Sequence, residues 1–297
     1  MHGPVRADEF PRPARGPSPG WHNASCMNQH QHPFDIAIAL RPEGEGAWQG
    51  HTSPAYANMI GPFGGITAAQ ALNAVLQHRE RLGEPVAYTV NFAAPVADGP
   101  FLALARPART NRSTQHWIVE LRQGDHSVAT ATAVTAVRRD TWGASEIPMP
   151  EVPAPQAVPP PLDRGKVEWI NRYELRFVEG GFPAAWDGTH SEDSRTRLWL
   201  RDEPPRPLDF ASLTALADVF FPRIWRRRAT RTPIGTVSMT VYFHAGEAQL
   251  RRTGTGHLLG QAHAHGFRDG YFDQTAQLWN EAGDLLATSH QIVYYKE

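Results

Sequence analysis

Two segments of the chain, about half its length apart, show the same order of apolar and polar positions. In the segment 63–79, apolar side chains recur at steps of three and four residues on one helix face, at Ile66, Ala69, Leu72 and Leu76. In the segment 209–225, the corresponding face carries Phe210, Leu213, Ala217, Phe220 and Ile224. Each segment therefore predicts an amphipathic helix, and the second is expected to end or kink at Pro222, which has no amide donor.

An alternating strand follows each helix, and the two strands resemble each other. In "YTVNFAAPV" (88–96) and "MTVYFHAGE" (239–247), Thr89, Val90 and Phe92 correspond to Thr240, Val241 and Phe243 at one constant offset. Each half then closes with a hairpin, turning at 123–125 and at 280–283, where glycine supplies the positive φ. A helix followed by antiparallel strands, written twice, predicts a duplicated domain of the α+β class.

Two segments differ in composition from these halves. Residues 147–165 hold seven prolines, which predicts an extended, polyproline-like linker in the middle of the chain. The first stretch is rich in proline, arginine and histidine and has no apolar run of the kind found in secretory signals. We predict a disordered leader at 1–33 and a linker at 144–165.

Composition narrows the class of protein. The chain has 297 residues, of which 41% are apolar and 20% charged, and its net charge is −1. This charge does not favour nucleic acid as a partner, and no apolar run approaches the length of a membrane helix. Cys26 is the single cysteine, which excludes an intrachain disulfide and fits a cytoplasmic location.

The motifs and their order resemble the acyl-CoA thioesterases of the double-hotdog type, around bacterial acyl-CoA thioesterase II. The resemblance rests on "GPFGGITAAQAL" in the first half and on "DVFFP", "GTVSMTVYFH" and "GDLLATSHQIVYY" in the second. It implies two tandem hotdog domains, at 34–143 and 166–297, each a central helix wrapped by an antiparallel sheet. It also implies an enzyme of fatty acid metabolism that hydrolyses acyl-CoA to free acid and coenzyme A, and a homodimer or higher homo-oligomer.

The same resemblance implies a catalytic trio that activates water, which falls on Asp218, Thr236 and Gln291. This chain departs from the family around the trio, since it has Phe220 in place of an asparagine and Ser238-Met239 in place of Asp-His. These departures leave open a hotdog protein that binds acyl-CoA or acyl chains without catalysis. An enoyl-CoA hydratase-like enzyme is a second alternative, because proteins of the hotdog type also include hydratases.

The chemistry of the three residues suits the implied reaction. A carboxylate flanked on its helix by Thr214, Phe221 and Trp225 would be partly desolvated, with a raised pKa suited to a general base. Gln291 can orient a water by donating and accepting. Strand alternation places Thr236 on the polar face of its strand. The structural alternatives are a helix cap for the aspartate, a solvated glutamine and a plain β-forming threonine.

Substrate contacts are expected at two further places. Phe63, Gly64 and Gly65 open the first helix, where a ligand can approach the backbone closely, although a tight turn alone would also explain the glycines. Arg226, Arg227 and Arg228 suit the phosphates of coenzyme A, with a solvated helix end as the alternative. We expect no cofactor, and no metal, because His257, His263 and His265 have no acidic partner at metal-ligand spacing.

Overall fold

The computed structural model describes residues 31–160 and 167–297 as one compact unit from His32 onward. The predicted leader lies outside these residues up to position 30, and the last part of the predicted linker, 161–166, does too. Pro33, the last residue of the predicted leader, already begins a short helix. The helices are α1 (Pro33–Ala37), α2 (Gly64–Leu76), α3 (Phe210–Leu216), α4 (Arg223–Arg228) and α5 (Glu247–Thr253). Within the described ranges, no helix has both the length and the apolar character that a bilayer crossing requires.

Thirteen strands form one antiparallel sheet. The first half contributes β1 (Arg41–Gly44), β2 (Ala47–His51), β3 (Glu84–Phe92), β4 (Pro100–Thr110), β5 (Thr114–Gln123) and β6 (His126–Ala136). The second contributes β7 (Tyr173–Glu179), β8 (Thr196–Asp202), β9 (Ile234–Phe243), β10 (Leu258–His263), β11 (Phe267–Arg268), β12 (Tyr271–Asn280) and β13 (Leu285–Tyr295). Both predicted hairpins, β5–β6 and β12–β13, are present.

The order of the strands is symmetric about the β3–β9 pair. It runs β1-β2-β4-β5-β6-β3-β9-β13-β12-β10-β8-β7, with β11 beside β12. Thr89 lies opposite Thr240, 151 residues later, and their hydroxyl oxygens are 2.9 Å apart. The residues that correspond in the repeat are therefore neighbours at the centre of the sheet. This is the predicted α+β double hotdog, with a pseudo-twofold axis between the two threonines.

The central helices lie on one face of the sheet, called here the inner face. Residues 65–75 of α2 are buried, and the hydroxyl of Tyr88 on β3 donates to the Ala68 carbonyl at 2.9 Å. Helix α3 packs beside α2 so closely that a Cβ on Gly65 would lie 2.8 Å from the Ala215 carbonyl oxygen. The two helices thus meet at the interface between the halves.

The second helix is predicted to end or kink at Pro222, and in the structure it ends earlier. Helix α3 ends at Leu216, and α4 begins only at Arg223. Pro222 offers no amide to the carbonyl four residues earlier, that of Asp218, and its ring would clash with that carbonyl in a helix. The break therefore falls at 217–222, and Asp218 lies in this break rather than on a helix.

A β-bulge interrupts the alternation of β9. Ser238 pairs with Ile292 and Thr236 pairs with Val293, so Val237 is an extra residue on β9. Beyond such a bulge the side chains change face. The predicted position of Thr236 on the polar face is wrong: it shares the face of its partner Val293, which is buried, whereas Val237 is 38% exposed.

The described part of the proline-rich linker is not extended throughout, because Pro155–Ala157 form a 3₁₀ turn, and it packs on the second half. The indole nitrogen of Trp199 donates to the Pro153 carbonyl at 2.8 Å, and Arg176 donates to the Val158 carbonyl at 2.8 Å. Val158 also packs with Trp199 and Leu259. The linker therefore covers part of the outer face of the second half.

Candidate active site

Asp218 and Gln291 meet on the inner face, as their predicted roles require. The Gln291 amide donates to Asp218 Oδ1 at 2.8 Å and lies 3.5 Å from the Met239 sulfur. Gln291 is 3% exposed, which rules out the alternative of a solvated glutamine. Ser289, two residues earlier on β13, donates to the Ala217 carbonyl at 3.3 Å and so fastens the helix break to the strand.

The first half contributes the N-terminus of α2 to the same place. The N-cap residue Phe63 makes no side-chain hydrogen bond to the helix, which leaves first-turn amides free, and the backbone N–H of Gly65 acts to lower the pKa of Asp218. A Cβ on Gly64 would lie 2.8 Å from Asp218 Oδ2. Glycine is needed here because the carboxylate of the other half occupies the space of a side chain.

Burial changes the acidity of Asp218. Desolvation raises its pKa from 3.8 to about 7, although the hydrogen bonds from Gln291 and Gly65 act in the opposite direction. The residue as a whole is only half-buried, so part of it can be reached from outside. A carboxylate with this pKa can accept a proton from water and release it again near neutral pH.

Thr236 is on the correct face but makes no direct bond to the pair. Among residues 31–160 and 167–297, its hydroxyl has no hydrogen bond to Asp218 or Gln291. Its partner Val293 lies two residues beyond Gln291 on the same face of β13. The structure thus joins two members of the predicted trio and places the third beside them, at the bulge.

Aromatic side chains form a wall at the start of α2. The ring of Phe63 stacks on Trp169 with centroids 4.2 Å apart, and Tyr173 packs against Phe63 at 5.9 Å. Phe63 itself is 3% exposed, so the predicted substrate contact through its side chain is mostly closed. Burial raises the pKa of Tyr173, and the nearby groups Tyr56, Asp202 and Asp218 add to this rise.

Sequence reasoning missed a second buried acid, Asp202. It pairs with Tyr173 across β7 and β8 and accepts a hydrogen bond from Ser212 at 2.5 Å. Burial raises its pKa from 3.8 to about 7. An aspartate at the end of a strand gave no signal in the sequence, because its burial depends on the packing of α3.

The arginines of α4 lie in a different environment from that of Asp218. Arg227 packs over the Phe267 ring at 6.0 Å, and Arg228 forms an ion pair with Glu297. Arg226 is half-buried, and no arginine is among the causes of the Asp218 pKa shift.

Their neighbour Arg223 is fully buried and anchors the helix break. It donates to the Ser194 carbonyl at 2.9 Å, to Thr196 Oγ1 at 2.7 Å and to the Phe221 carbonyl at 3.0 Å. Burial lowers its pKa to about 9. Its hydrogen bonds hold 217–222, and with it Asp218, against the start of β8.

Comparisons with known proteins agree with this architecture. Residues 53–136 match the acyl-CoA thioesterase N-terminal domain, and residues 148–295 match the acyl-CoA thioesterase C-terminal domain. A hot dog fold protein of unknown function from Alicyclobacillus acidocaldarius is 47% identical, with a TM-score of 0.85 over 90% of this chain and 99% of that one.

Two more distant structures share the fold. The tesB protein of Mycobacterium avium subs paratuberculosis is 19% identical, with a TM-score of 0.71 over 90% of this chain and 100% of that one. Acyl-CoA thioesterase II TesB2 of Mycobacterium marinum is 16% identical, with a TM-score of 0.70 over 89% and 98% of the two chains. A comparison with curated proteins gave no match.

Proposed function

Because the chain belongs to the acyl-CoA thioesterase family, we propose that it hydrolyses the thioester bond of an acyl-CoA through a water activated by Asp218. The observation that carries this proposal is the Asp218 carboxylate itself. It accepts a hydrogen bond from Gln291 of its own half and lies against Gly64 at the N-terminus of α2 of the other half, and its pKa is about 7.

The proposed reaction uses the groups around this carboxylate in sequence. Asp218 takes a proton from a water held by Gln291, and the water oxygen attacks the thioester carbonyl carbon. First-turn amides of α2, including that of Gly64, stabilise the negative charge that develops on the carbonyl oxygen. The C–S bond then breaks, Asp218 returns the proton to the leaving sulfur, and the products are a carboxylic acid and coenzyme A. Thr236 helps to hold the water at the bulge.

The remaining parts of the proposal follow from composition and family. The reaction needs water and no cofactor, and the substrate is a small molecule rather than a nucleic acid. We propose a cytoplasmic enzyme of fatty acid metabolism that works as a homo-oligomer, with Arg226, Arg227 and Arg228 contacting the phosphates of coenzyme A. The ion pair of Arg228 with Glu297 would have to open for this contact.

The test is free-thiol release from short, medium and long acyl-CoAs by the wild type and by Asp218→Asn. We expect the wild type to turn over at least one chain length, and Asp218→Asn to lose about 10²- to 10⁴-fold in kcat, the usual contribution of a general base. Asp202→Asn is the matched control, because it removes the other buried aspartate with a pKa of about 7.

Binding distinguishes the alternatives. If acyl-CoA raises the melting temperature of the wild type but no thiol is released at any chain length, the chain is a binding protein. If Asp202→Asn loses as much turnover as Asp218→Asn, the proposed role of Asp218 is wrong. Hydration of an enoyl-CoA without thiol release would favour the hydratase-like reaction.

A further inference from the structure

A second group of titratable side chains lies on the outer face of the sheet, opposite the site described above. His290 is the neighbour of Gln291 on β13, and because side chains alternate along a strand it points away from Asp218. Asp273 lies on β12 next to it, and His265 lies in the turn between β10 and β11. One ligand atom from each of the three residues lies within 4.8 Å of the other two.

The contacts of Asp273 hold the group together. Its Oδ1 accepts the backbone amides of His265 and Gly266, both at 2.9 Å. Its Oδ2 lies 2.5 Å from His265 Nδ1 and 3.4 Å from His290 Nε2. One carboxylate oxygen therefore fixes the turn, while the other faces two imidazole nitrogens.

We propose that His265, Asp273 and His290 bind one divalent transition-metal ion, with Zn²⁺ as the best match. Two imidazoles and one carboxylate oxygen are a ligand set that Zn²⁺ takes, with metal–ligand distances of about 2.0–2.2 Å. In a tetrahedral site these distances put neighbouring ligand atoms about 3.3 Å apart. The His290–Asp273 separation of 3.4 Å already fits.

The His265–Asp273 contact has to change by a small amount. At 2.5 Å it is a hydrogen bond, and it would lengthen by roughly 1 Å when the ion replaces the shared proton. Both histidines are exposed, with side-chain exposures of 61% and 52%, so they are free to turn and the ion can enter from solvent. The fourth position is then open to water.

A third histidine lies at the edge of this cluster. The ring of His263 on β10 is 4.9 Å from that of His265, and its buried Nδ1 has no hydrogen-bond partner among the described residues. The sequence predicts no metal because no acidic residue stands at metal-ligand spacing from these histidines. Hydrogen bonds to the turn at 265–266 place Asp273 beside His265, and the pairing of β12 with β13 brings His290 to the same place, which linear spacing did not anticipate.

A metal here would join three separate elements. The ion would tie the 264–266 turn to β12 and β13, and β13 carries Gln291 on its other face. The three ligands come together only in the folded chain, so the ion binds the folded state more tightly than the unfolded state. Metal binding should therefore raise the melting temperature.

Titration of the metal-stripped full chain with Zn²⁺ tests the proposal. Histidines before residue 31 add a background that all variants share, so the measured quantity is the difference from the wild type. We expect His290→Ala and His265→Ala to lose one equivalent of tight binding, with the affinity of that site at least about tenfold weaker. His116→Ala, at an exposed position of β5 in the first half, is the matched control and should bind as the wild type does.

Co²⁺ provides an independent readout. We expect visible d–d absorption typical of a four-coordinate site in the wild type and in His116→Ala, and its loss in His290→Ala. Circular dichroism establishes that the variants are folded, which is expected because His290 is exposed. Equal Zn²⁺ stoichiometry and affinity in the wild type and His290→Ala would overturn the proposal, as would the absence of any Zn²⁺-induced rise in melting temperature.

Discussion

The two halves of the molecule share one framework and differ in the polar residues placed on it. Three positions of the candidate site have counterparts in the first half. The pairs, second half first, are Asp218 and Leu72, Thr236 and Pro85, and Gln291 and Ala133. None of the counterparts has a polar side chain, so this candidate site is not repeated in the first half of the described residues.

The sheet itself defines two of these pairs. Thr89 corresponds to Thr240, so the residues just before them, Tyr88 and Met239, also correspond. Met239 pairs with Gln291 on β13, and Tyr88 pairs with Ala133 on β6, so Gln291 corresponds to Ala133. The bulge is repeated as well: Val86 is an extra residue on β3 where Val237 is on β9. Counting from the first residue of each central helix pairs Asp218 with Leu72. The two halves therefore share the strand pairing and the bulge, but only the second half has polar residues at these three positions.

The helix starts differ in a complementary way. Asp209 caps α3 through its side chain, which accepts the Ser212 amide at 2.8 Å, whereas α2 has no such cap. The free amides of α2 instead face the carboxylate of the second half. The first half thus supplies free backbone amides, and the second half supplies the carboxylate that we propose as the base.

The largest expected effect is on stability, and it comes from placing a carboxylate in the first half, at the counterpart of Asp218. Leu72 is 0% exposed, and Leu72→Asp would bury a carboxylate without the donors that Asp218 has. We expect a loss of about 4 kcal/mol or more in the free energy of unfolding at pH 8, measured by urea denaturation. Leu72→Asn has nearly the same shape without the charge. Equal stabilities of the two variants at pH 8 would mean that the first half can also accommodate an ionised acid.

The next test concerns Gly64, where α2 of the first half contacts Asp218 of the second half. Gly64→Ala places a methyl group 2.8 Å from Asp218 Oδ2, and displacing a catalytic group by about 1 Å can reduce the rate about 10²-fold. We expect a loss of that size in kcat/KM with the fold retained. Gly181→Ala is the matched control, since its nearest neighbours are at 3.5 Å. A fully active Gly64→Ala enzyme would show that α2 does not need to approach the carboxylate.

The pH dependence of catalysis tests which half supplies the base. Asp218 must be ionised to accept a proton, and its pKa is about 7. We therefore expect kcat/KM to fall about tenfold per pH unit below pH 7 and to level off above it. The folded chain holds this proton more tightly than the unfolded chain, so ionisation lowers the free energy of unfolding as pH rises from about 4 to about 7. A flat profile between pH 5 and pH 8 would exclude Asp218 as the base.

The smallest effect is expected at the bulge. Thr236→Val keeps the shape of the side chain and removes its hydroxyl, and the loss of one hydrogen bond to water should lower kcat by roughly threefold to tenfold. Ser238→Ala removes a hydroxyl from the other face of the same strand and should leave kcat unchanged. If the two variants behave alike, Thr236 contributes only to the strand.

Most of the framework could be predicted because it depends on local patterns. The repeat, helix α2 and both hairpins follow from periodicity and turn residues. The face of Thr236 could not be predicted, since an extra residue in a strand leaves no mark on alternation. The helical pattern predicts an end at Pro222, whereas α3 ends before Asp218. The reason is that Pro222 cannot donate to the carbonyl of Asp218, four residues earlier, and its ring would clash with that carbonyl.

Less of the site could be predicted, because its contacts join distant parts of the chain. The resemblance named Asp218 and Gln291, which are hydrogen-bonded in the structure, but the approach of the α2 N-terminus to Asp218 depends on the packing of two helices. The burial of Asp202 and the approach of Asp273 to His265 depend on tertiary packing and strand pairing. None of these contacts has a sequence spacing that would reveal it.

The central position of β3 has a consequence for synthesis of the chain. Its partner β9 ends at Phe243, 151 residues after Phe92, the end of β3. At about 5–20 residues per second, a ribosome needs roughly 8–30 s to make that stretch. During this time β3 is an edge strand, open to pairing with nascent chains on neighbouring ribosomes. The first half therefore leaves the ribosome with one unpaired strand edge, which stays unpaired until β9 has been made.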